Sequence, residues 1–270
     1  MANTVLVAGG SGTLGSALGR LLGSGAVLLG PSKLDVTDRD RVHRLVAALK
    51  PQAVVNCAAL TDVDLCQQKP ELAMRVHRDG VANLADTGVR LVTISTDHVF
   101  RGDGMPDPYL ESSPTDPINE YGRSKLAGEE IALQAEGTVV RTSFLFGGRR
   151  GLIPFLWRNL TSRDEVRAVS DQRACATWAE DLAAGILRLL EEDVRGVVHM
   201  ANQGAFSPLD IARLLRGMHG GGSVKSIRWT DLNVVAPRPA WSVLGSERGL
   251  MLRPLVDALK GWRASNGSVR

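Results

Sequence analysis

Residues 4–22 read TVLVAGGSGTLGSALGRLL, and no other stretch restricts the chain so much. A short apolar run ends in glycine. Gly9, Gly12 and Gly15 follow at equal spacing, and Leu14, Leu18, Leu21 and Leu22 recur at helical spacing. That order predicts a strand, a tight turn and an amphipathic helix. In such a turn the first glycine permits the bend and the second lets backbone approach a pyrophosphate. The third lets the helix lie close on the sheet. The positive end of the helix would then face the phosphates. The expected ligand is a dinucleotide, held by Gly9, Ser11, Gly12, Thr13, Leu14 and Gly15. Read as structure alone, the stretch is a glycine-rich βα turn.

The pattern repeats. AVLLG, QAVVNCAA and VRLVTIST read as strands. VTDRDRVHRLVAALK reads as a helix capped by Thr37 or Asp38, and Pro70 opens another that ends near Gly88. Residues 101–119 are rich in Pro, Gly, Asp and Ser and form a long loop. The helix YGRSKLAGEEIALQAEG and the strand TVVRTSFLF follow. Such alternation predicts βαβ units and an α/β fold, a Rossmann-type doubly wound parallel sheet. After Phe146 the pattern loosens into the helix LIPFLWRNLTS, the strand VRAVS, the helix AEDLAAGILRLLEE and the strand GVVHMA. The serine-capped helix SPLDIARLLRGM comes next, with glycines 220–222 as a flexible joint. The expected division is a dinucleotide-binding domain over 1–147, with 166–205 returning to its sheet. Residues 148–165 and 206–270 would form a smaller substrate-binding lobe.

Of 270 residues, 44% are hydrophobic and 23% charged, ordinary values for a globular protein. A net charge of +3 gives no reason to expect nucleic acid or an anionic membrane as partner. Cys57, Cys66 and Cys175 are odd in number and widely spaced, and the five histidines are scattered. That argues for a reducing compartment and against a metal site. MANTVLVAGG lacks a basic leader, and no apolar run reaches membrane-spanning length. A cytoplasmic location is expected.

The chemistry centres on YGRSK, which sets one of only two tyrosines four residues before a lysine. On a helix the two share a face. A phenol titrates near pH 10, and a neighbouring ammonium lowers that value. Tyr121 could then give a proton to a forming alkoxide. LVTISTDHVF ends a buried strand in hydroxyls, so Thr96 would reach the same oxygen. The alternative is a surface pair of Tyr121 and Lys125. At the end of the second strand the chain reads GPSKLDVTD, without the acid that holds an NAD ribose. Ser32 and Lys33 could hold a 2′-phosphate, favouring NADPH with NADH as the alternative. Lys33 could equally be a solvated loop residue. Asp35 and Val36 could bracket the adenine.

Taken in order, GGSGTLG, LDVTD, VVNCAALTDVD, ISTDHVF, YGRSKLAGE, RTSFLFG, DQRACAT with DLA, and RPAWSVL carry a resemblance over most of the chain. The chain resembles the extended short-chain dehydrogenases/reductases, and within them the dTDP-4-dehydrorhamnose reductases. The resemblance implies a catalytic trio of Thr96, Tyr121 and Lys125. It implies NAD(P)H along Gly9, Gly12, Gly15, Asp35, Ala58 and Ala59, with Tyr121 and Lys125 reaching it. The substrate would be a nucleotide sugar with a 4-keto-6-deoxyhexose, met by Thr61, Asp97, His98, Phe144, Gln172 and Arg238. A homodimer is compatible with this reading.

The chain also departs from that family. His98 stands where tyrosine is common, Phe144 where tryptophan is, and Ala174 and Ala176 replace glycine and proline in a turn over Arg173–Thr177. The tail after SVL is short. These changes gather at one subsite and imply retuned substrate choice. Two alternatives stay open: a reductase of a smaller secondary-metabolite ketone, and a non-catalytic NADP-binding regulatory subunit like the β-subunit of methionine adenosyltransferase.

Overall fold

Strand β1 (Val5–Ala8) is buried along its whole length, as a central parallel strand must be. Its side chains alternate between two cores. Val5 and Val7 pack with one group of helices, Leu6 and Ala8 with another on the opposite face. The computed structural model describes residues 4–103, 107–149, 151–162, 165–220 and 222–266. Gly221 of the expected glycine joint and residues 104–106 of the expected long loop lie outside them.

In chain order, α1 (Thr13–Leu22), β2 (Ala26–Leu29), α2 (Arg39–Leu49) and β3 (Ala53–Asn56) follow the expected alternation. Asp38 caps α2 by accepting the Arg41 N–H. On α1, Leu14 and Leu18 are buried, but Leu21 is 48% exposed. The third leucine of the expected stripe therefore faces outward. The helix expected from Pro70 comes in pieces, preceded by a short helix of its own. These are α3 (Val63–Gln68), α4 (Pro70–Met74), a π-helical turn over Arg75–Asp79, and α5 (Gly80–Ala85).

The expected elements β4 (Arg90–Thr96), α6 (Glu120–Gln134) and β5 (Thr138–Thr142) then complete the βαβ series. The run TVVRTSFLF does not continue as one strand. Phe144 adopts φ 31°, and β6 (Leu145–Phe146) leaves the sheet of β5 to pair with a later strand.

The second half contains α7 (Leu152–Ser162), β7 (Glu165–Val169), β8 (Arg173–Trp178), α8 (Ala179–Glu191), β9 (Gly196–His199) and β10 (Asn202–Phe206). After these come α9 (Pro208–His219), β11 (Ser223–Ile227), β12 (Trp241–Ser242), β13 (Leu252–Pro254) and α10 (Leu255–Asn266). The expected turn over Arg173–Thr177 is instead strand β8, interior to the smaller sheet between β12 and β10. A proline-free sequence suits it, because an interior strand needs its N–H groups.

The large sheet runs β2-β1-β3-β4-β5-β9, all parallel. α1 and α8 cover one face; α2, α5 and α6 cover the other. Strand order reverses beside β1, so the crevice outside the ends of β1 and β3 is where a ligand of such a sheet sits. Of residues 166–205, β9 joins this sheet and α8 covers its face. β7, β8 and β10 pair in the smaller ones. A separate core of α7, α9 and α10, built on Leu156, Leu160, Ile211, Leu215, Leu259 and Trp262, fills the lobe.

Candidate active site

The glycine turn is closed by backbone contacts. Gly9 has φ 75°, and a Cβ there would lie 2.7 Å from the Ala58 nitrogen. A Cβ at Gly15 would lie 2.5 Å from the Gly9 oxygen. Helix α1 and the loop after β3 thus meet the turn at distances only glycine allows. Gly12 begins α1 with no side-chain cap, leaving its first N–H groups for an anion. Asn56 accepts the Ala58 N–H at 3.1 Å and steadies the Ala58–Ala59 segment. Ser11 is exposed and Thr13 half-buried at the mouth of this turn.

Beyond β2, Ser32 and Lys33 are exposed on a turn closed by Lys33 N–H to Gly30 O at 2.9 Å. Arg41 donates to the Lys33 carbonyl and pins it. Asp35 is exposed, its carboxylate accepting from the Thr37 N–H and hydroxyl. Val36 is 3% exposed and belongs to the core. Of the pair expected around an adenine, only Asp35 offers its side chain to the surface.

At the carboxyl end of β4, Thr96 is buried, and its side chain opposes the rise in the Tyr121 phenol's pKa. The Thr96 hydroxyl also accepts the His98 N–H at 3.2 Å. Asn119 caps α6, its carbonyl oxygen accepting the Gly122 N–H at 2.8 Å, and so presents Tyr121 on the first turn. One turn on, Lys125 is buried and donates to the Ile94 carbonyl. Burial pushes its ammonium down to about 8, with Glu129 opposing the shift. Glu129 in turn accepts from Ser95 and from Arg141, the latter at 2.7 Å, in a fully buried ion pair.

The phenol departs from the expectation of a lowered pKa. Burial pushes it up, Thr96 counters that, and the Asp97 charge adds to the rise. Tyr121 is thereby held protonated, the form a proton donor needs.

The residues expected at a substrate fall into three groups. Thr61 is exposed after β3, and Arg238 reaches across from the lobe to Asp64 at 3.1 Å. Phe144 is half-buried at the strand break, packed on the lobe core, and Gln172 is buried just before β8. Asp97 is buried, and its carboxylate accepts from Thr96, from Ser143 at 2.8 Å and from Ser242 at 2.5 Å. Those internal partners make it a bracket between β4, the β5–β6 break and β12.

His98 is buried edge-on to Tyr121, ring centroids 5.6 Å apart. The amide nitrogen of Asn119 donates to Pro237 O at 2.9 Å and faces His98 Nδ1 at 3.1 Å. His98 Nδ1 is therefore an acceptor and Nε2 carries the proton. Burial lowers the pKa of this ring and keeps it neutral.

Several positions carried no signal of their own in the sequence. Asp64 lies inside the quoted TDVD but reads as one acid of a pair. It accepts the Val235 and Ala236 N–H groups and Arg238, clamping the lobe segment to α3. His77, in the π turn, also packs perpendicular to Tyr121, again at 5.6 Å. Glu129 stands four residues after Lys125, a spacing that could have been read. Its partner Arg141 comes from another strand. An open groove of about 470 Å³ on the lobe, lined by Arg173, Phe206, Asp210 and Arg213 among others, holds none of the expected site residues.

The family model described as RmlD substrate binding domain matches residues 3–265. The chain is 36% identical over 278 residues to a dTDP-4-dehydrorhamnose reductase of Streptomyces griseus, spanning 96% of this chain and 90% of that one. It is 36% identical over 261 residues to a dTDP-4-keto-6-deoxy-D-glucose reductase of Streptomyces niveus, at 92% and 90% coverage. Among solved structures, it resembles a dTDP-4-dehydrorhamnose reductase of Bacillus anthracis in complex with NADP. The TM-score is 0.93 and the identity 28%, over 98% of this chain and 100% of that one.

Proposed function

The chain belongs to the RmlD substrate binding domain family, and from that premise we propose that it reduces the 4-keto group of a nucleotide-activated 6-deoxyhexose, with NADPH as cofactor and Tyr121 as general acid. It is an NAD(P)H-dependent oxidoreductase of sugar nucleotides. The observation that carries the reading is the placement of Tyr121 on the first turn of α6, one helical turn before the buried Lys125, with the buried Thr96 at the end of β4.

The residues present fit the cofactor. A Cβ at Gly9 or Gly15 would fill the space through which backbone meets backbone, and the uncapped start of α1 suits a pyrophosphate. Ser32 and Lys33 offer a hydroxyl and a cation for a 2′-phosphate. When bound, NADPH supplies the hydride taken up by the carbonyl carbon. The carbonyl π pair moves onto oxygen, which Tyr121 approaches as a donor, and Thr96 as a second once its hydroxyl turns from Asp97. Tyr121 gives its proton to that oxygen, and the Lys125 ammonium stabilises the phenolate left behind. Solvent then restores the phenol.

A second element of the proposal concerns choice of sugar. His98 offers a neutral Nε2–H in a position where a tyrosine is common in the resembling family. Phe144 is smaller than the tryptophan common there. Both favour a related 4-ketosugar over dTDP-4-dehydrorhamnose.

The test is NADPH oxidation against a panel of dTDP-4-keto sugars and small ketones, with products identified by NMR. Turnover of a dTDP-4-ketosugar is expected, with a larger kcat/KM for a sugar other than dTDP-4-dehydrorhamnose. Tyr121→Phe should lower kcat by about two to four orders of magnitude at similar NADPH affinity. Undiminished turnover by that variant would sink the general-acid role. NADPH binding without turnover of any panel member would favour the regulatory-subunit alternative, and turnover of small ketones alone the other one.

A further inference from the structure

We propose that His77 is a positioning residue for Tyr121, tying the loop after β3 to the start of α6 through Ser124. The proposal rests on the general-acid reading of Tyr121 and extends it to a residue that does not touch the reacting atoms.

His77 lies in the π turn Arg75–Asp79, and its side chain is almost fully buried. Such turns insert one extra residue into a helix and re-aim the side chains around it. The Leu60 N–H donates to His77 Nε2 at 3.0 Å. That makes Nε2 the acceptor and leaves the proton on Nδ1. His77 Nδ1 lies 2.8 Å from the Ser124 hydroxyl, which therefore accepts. Ser124 donates its own O–H to the Tyr121 carbonyl at 2.9 Å. The result is a directional chain from Leu60 N–H through imidazole and hydroxyl to the backbone of the proton donor. Its first member lies two residues after Ala58, which with Cys57 is in backbone contact with the glycine turn.

The packing supports the same link. Two glycines lower α6 onto the carbonyls of both histidines that pack on the phenol. A Cβ at Gly122 would lie 2.1 Å from His98 O, and one at Gly128 would lie 2.2 Å from His77 O. Both imidazole rings stand roughly perpendicular to the phenol, their centroids at equal distance from it. Burial and the Lys125 charge hold His77 neutral, so the donor–acceptor order of the chain is kept across the working pH range.

A residue that fixes the proton donor relative to the cofactor loop affects kcat, because a misplacement of about an ångström can cost up to about a hundredfold in rate. The experiment measures kcat, sugar KM and NADPH affinity for His77→Ala, Ser124→Ala, their double mutant and Tyr121→Phe, on the best substrate of the panel. Each single variant is expected to lose about tenfold to a hundredfold in kcat, with sugar KM and NADPH affinity within about threefold of wild type. The double mutant should be no slower than the worse single by more than about threefold, because both break one chain. The proposal is overturned if the two losses multiply, or if both singles keep wild-type kcat while Tyr121→Phe is crippled. Full turnover by Tyr121→Phe would instead strike the general-acid reading beneath it. If His77→Ala does not fold, Ser124→Ala cuts the same chain from the other end, and an unchanged kcat there overturns the proposal.

Discussion

Lys125 is the residue whose setting most directly predicts a measurable profile. It is 7% exposed, and burial pushes its ammonium down to about 8 against the pull of Glu129. The Tyr121 phenol moves the other way and stays protonated. The ammonium is present below its pKa and lost above it, so kcat/KM should fall about tenfold per unit once pH exceeds about 8. Lys125→Arg keeps a cation that does not titrate there, and should remove the limb while lowering the rate. A wild-type profile flat to roughly pH 10 would show that the charge on this residue is not needed. The buried pair of Glu129 and Arg141 beneath it is fully satisfied. Removing one partner of such a pair costs about 3–5 kcal/mol, so variants there test folding before catalysis.

Helix α6 is the element on which the site is assembled. Its buried face carries Gly122, Ser124, Lys125, Gly128, Glu129 and Ala132. Glycine inside a helix ordinarily costs about 1 kcal/mol relative to alanine. At Gly128 that preference should reverse, because the added methyl would meet the His77 carbonyl at 2.2 Å, backbone that cannot rotate away. Gly128→Ala is expected to destabilise by about 1–3 kcal/mol in urea unfolding and to lower kcat through the displaced π turn. A stabilised variant would mean that α6 does not rest on that turn. The same close approach explains why the Pro70 helix is not regular. A turn that must deliver a carbonyl to Gly128 and an imidazole to Ser124 takes the wider π geometry over Arg75–Asp79. At the other end of the site, the positive φ of Phe144 turns β6 out of the large sheet to pair with β8, joining the two halves of the molecule.

At the scale of the whole molecule, three histidines buried among the described residues make acid a specific threat. Burial lowers the pKa of His77 to about 2 and also lowers those of His98 and His199. The unfolded chain binds protons at these rings below about 6.5 and the folded chain does not, so stability is lost as pH falls through that value. His77 alone should remove about 1.4 kcal/mol between roughly pH 7.5 and 5.5. Asp64, Glu111 and Asp210, held below the usual carboxylate range by their hydrogen bonds, add a further loss at lower pH. Urea midpoints measured across this range should fall steadily, and a plateau from pH 7.5 to 5.5 would contradict the neutral burial of these rings. The alternation of strands and helices, the Gly9–Gly12–Gly15 turn, the Asp38 and Ser207 caps and the helical spacing of Tyr121 and Lys125 could all be read from the sequence, because each depends on neighbours within a few positions. The conversion of the expected Arg173–Thr177 turn into an interior strand could not, because β8 exists only through its partners β6, β10 and β12. Nor could the rise in the Tyr121 pKa, the inward-facing Val36, the internal bracket at Asp97 or the chain through His77. Each is set by desolvation or by contacts between residues tens of positions apart, and only the closed tertiary structure brings those groups together and excludes water from them.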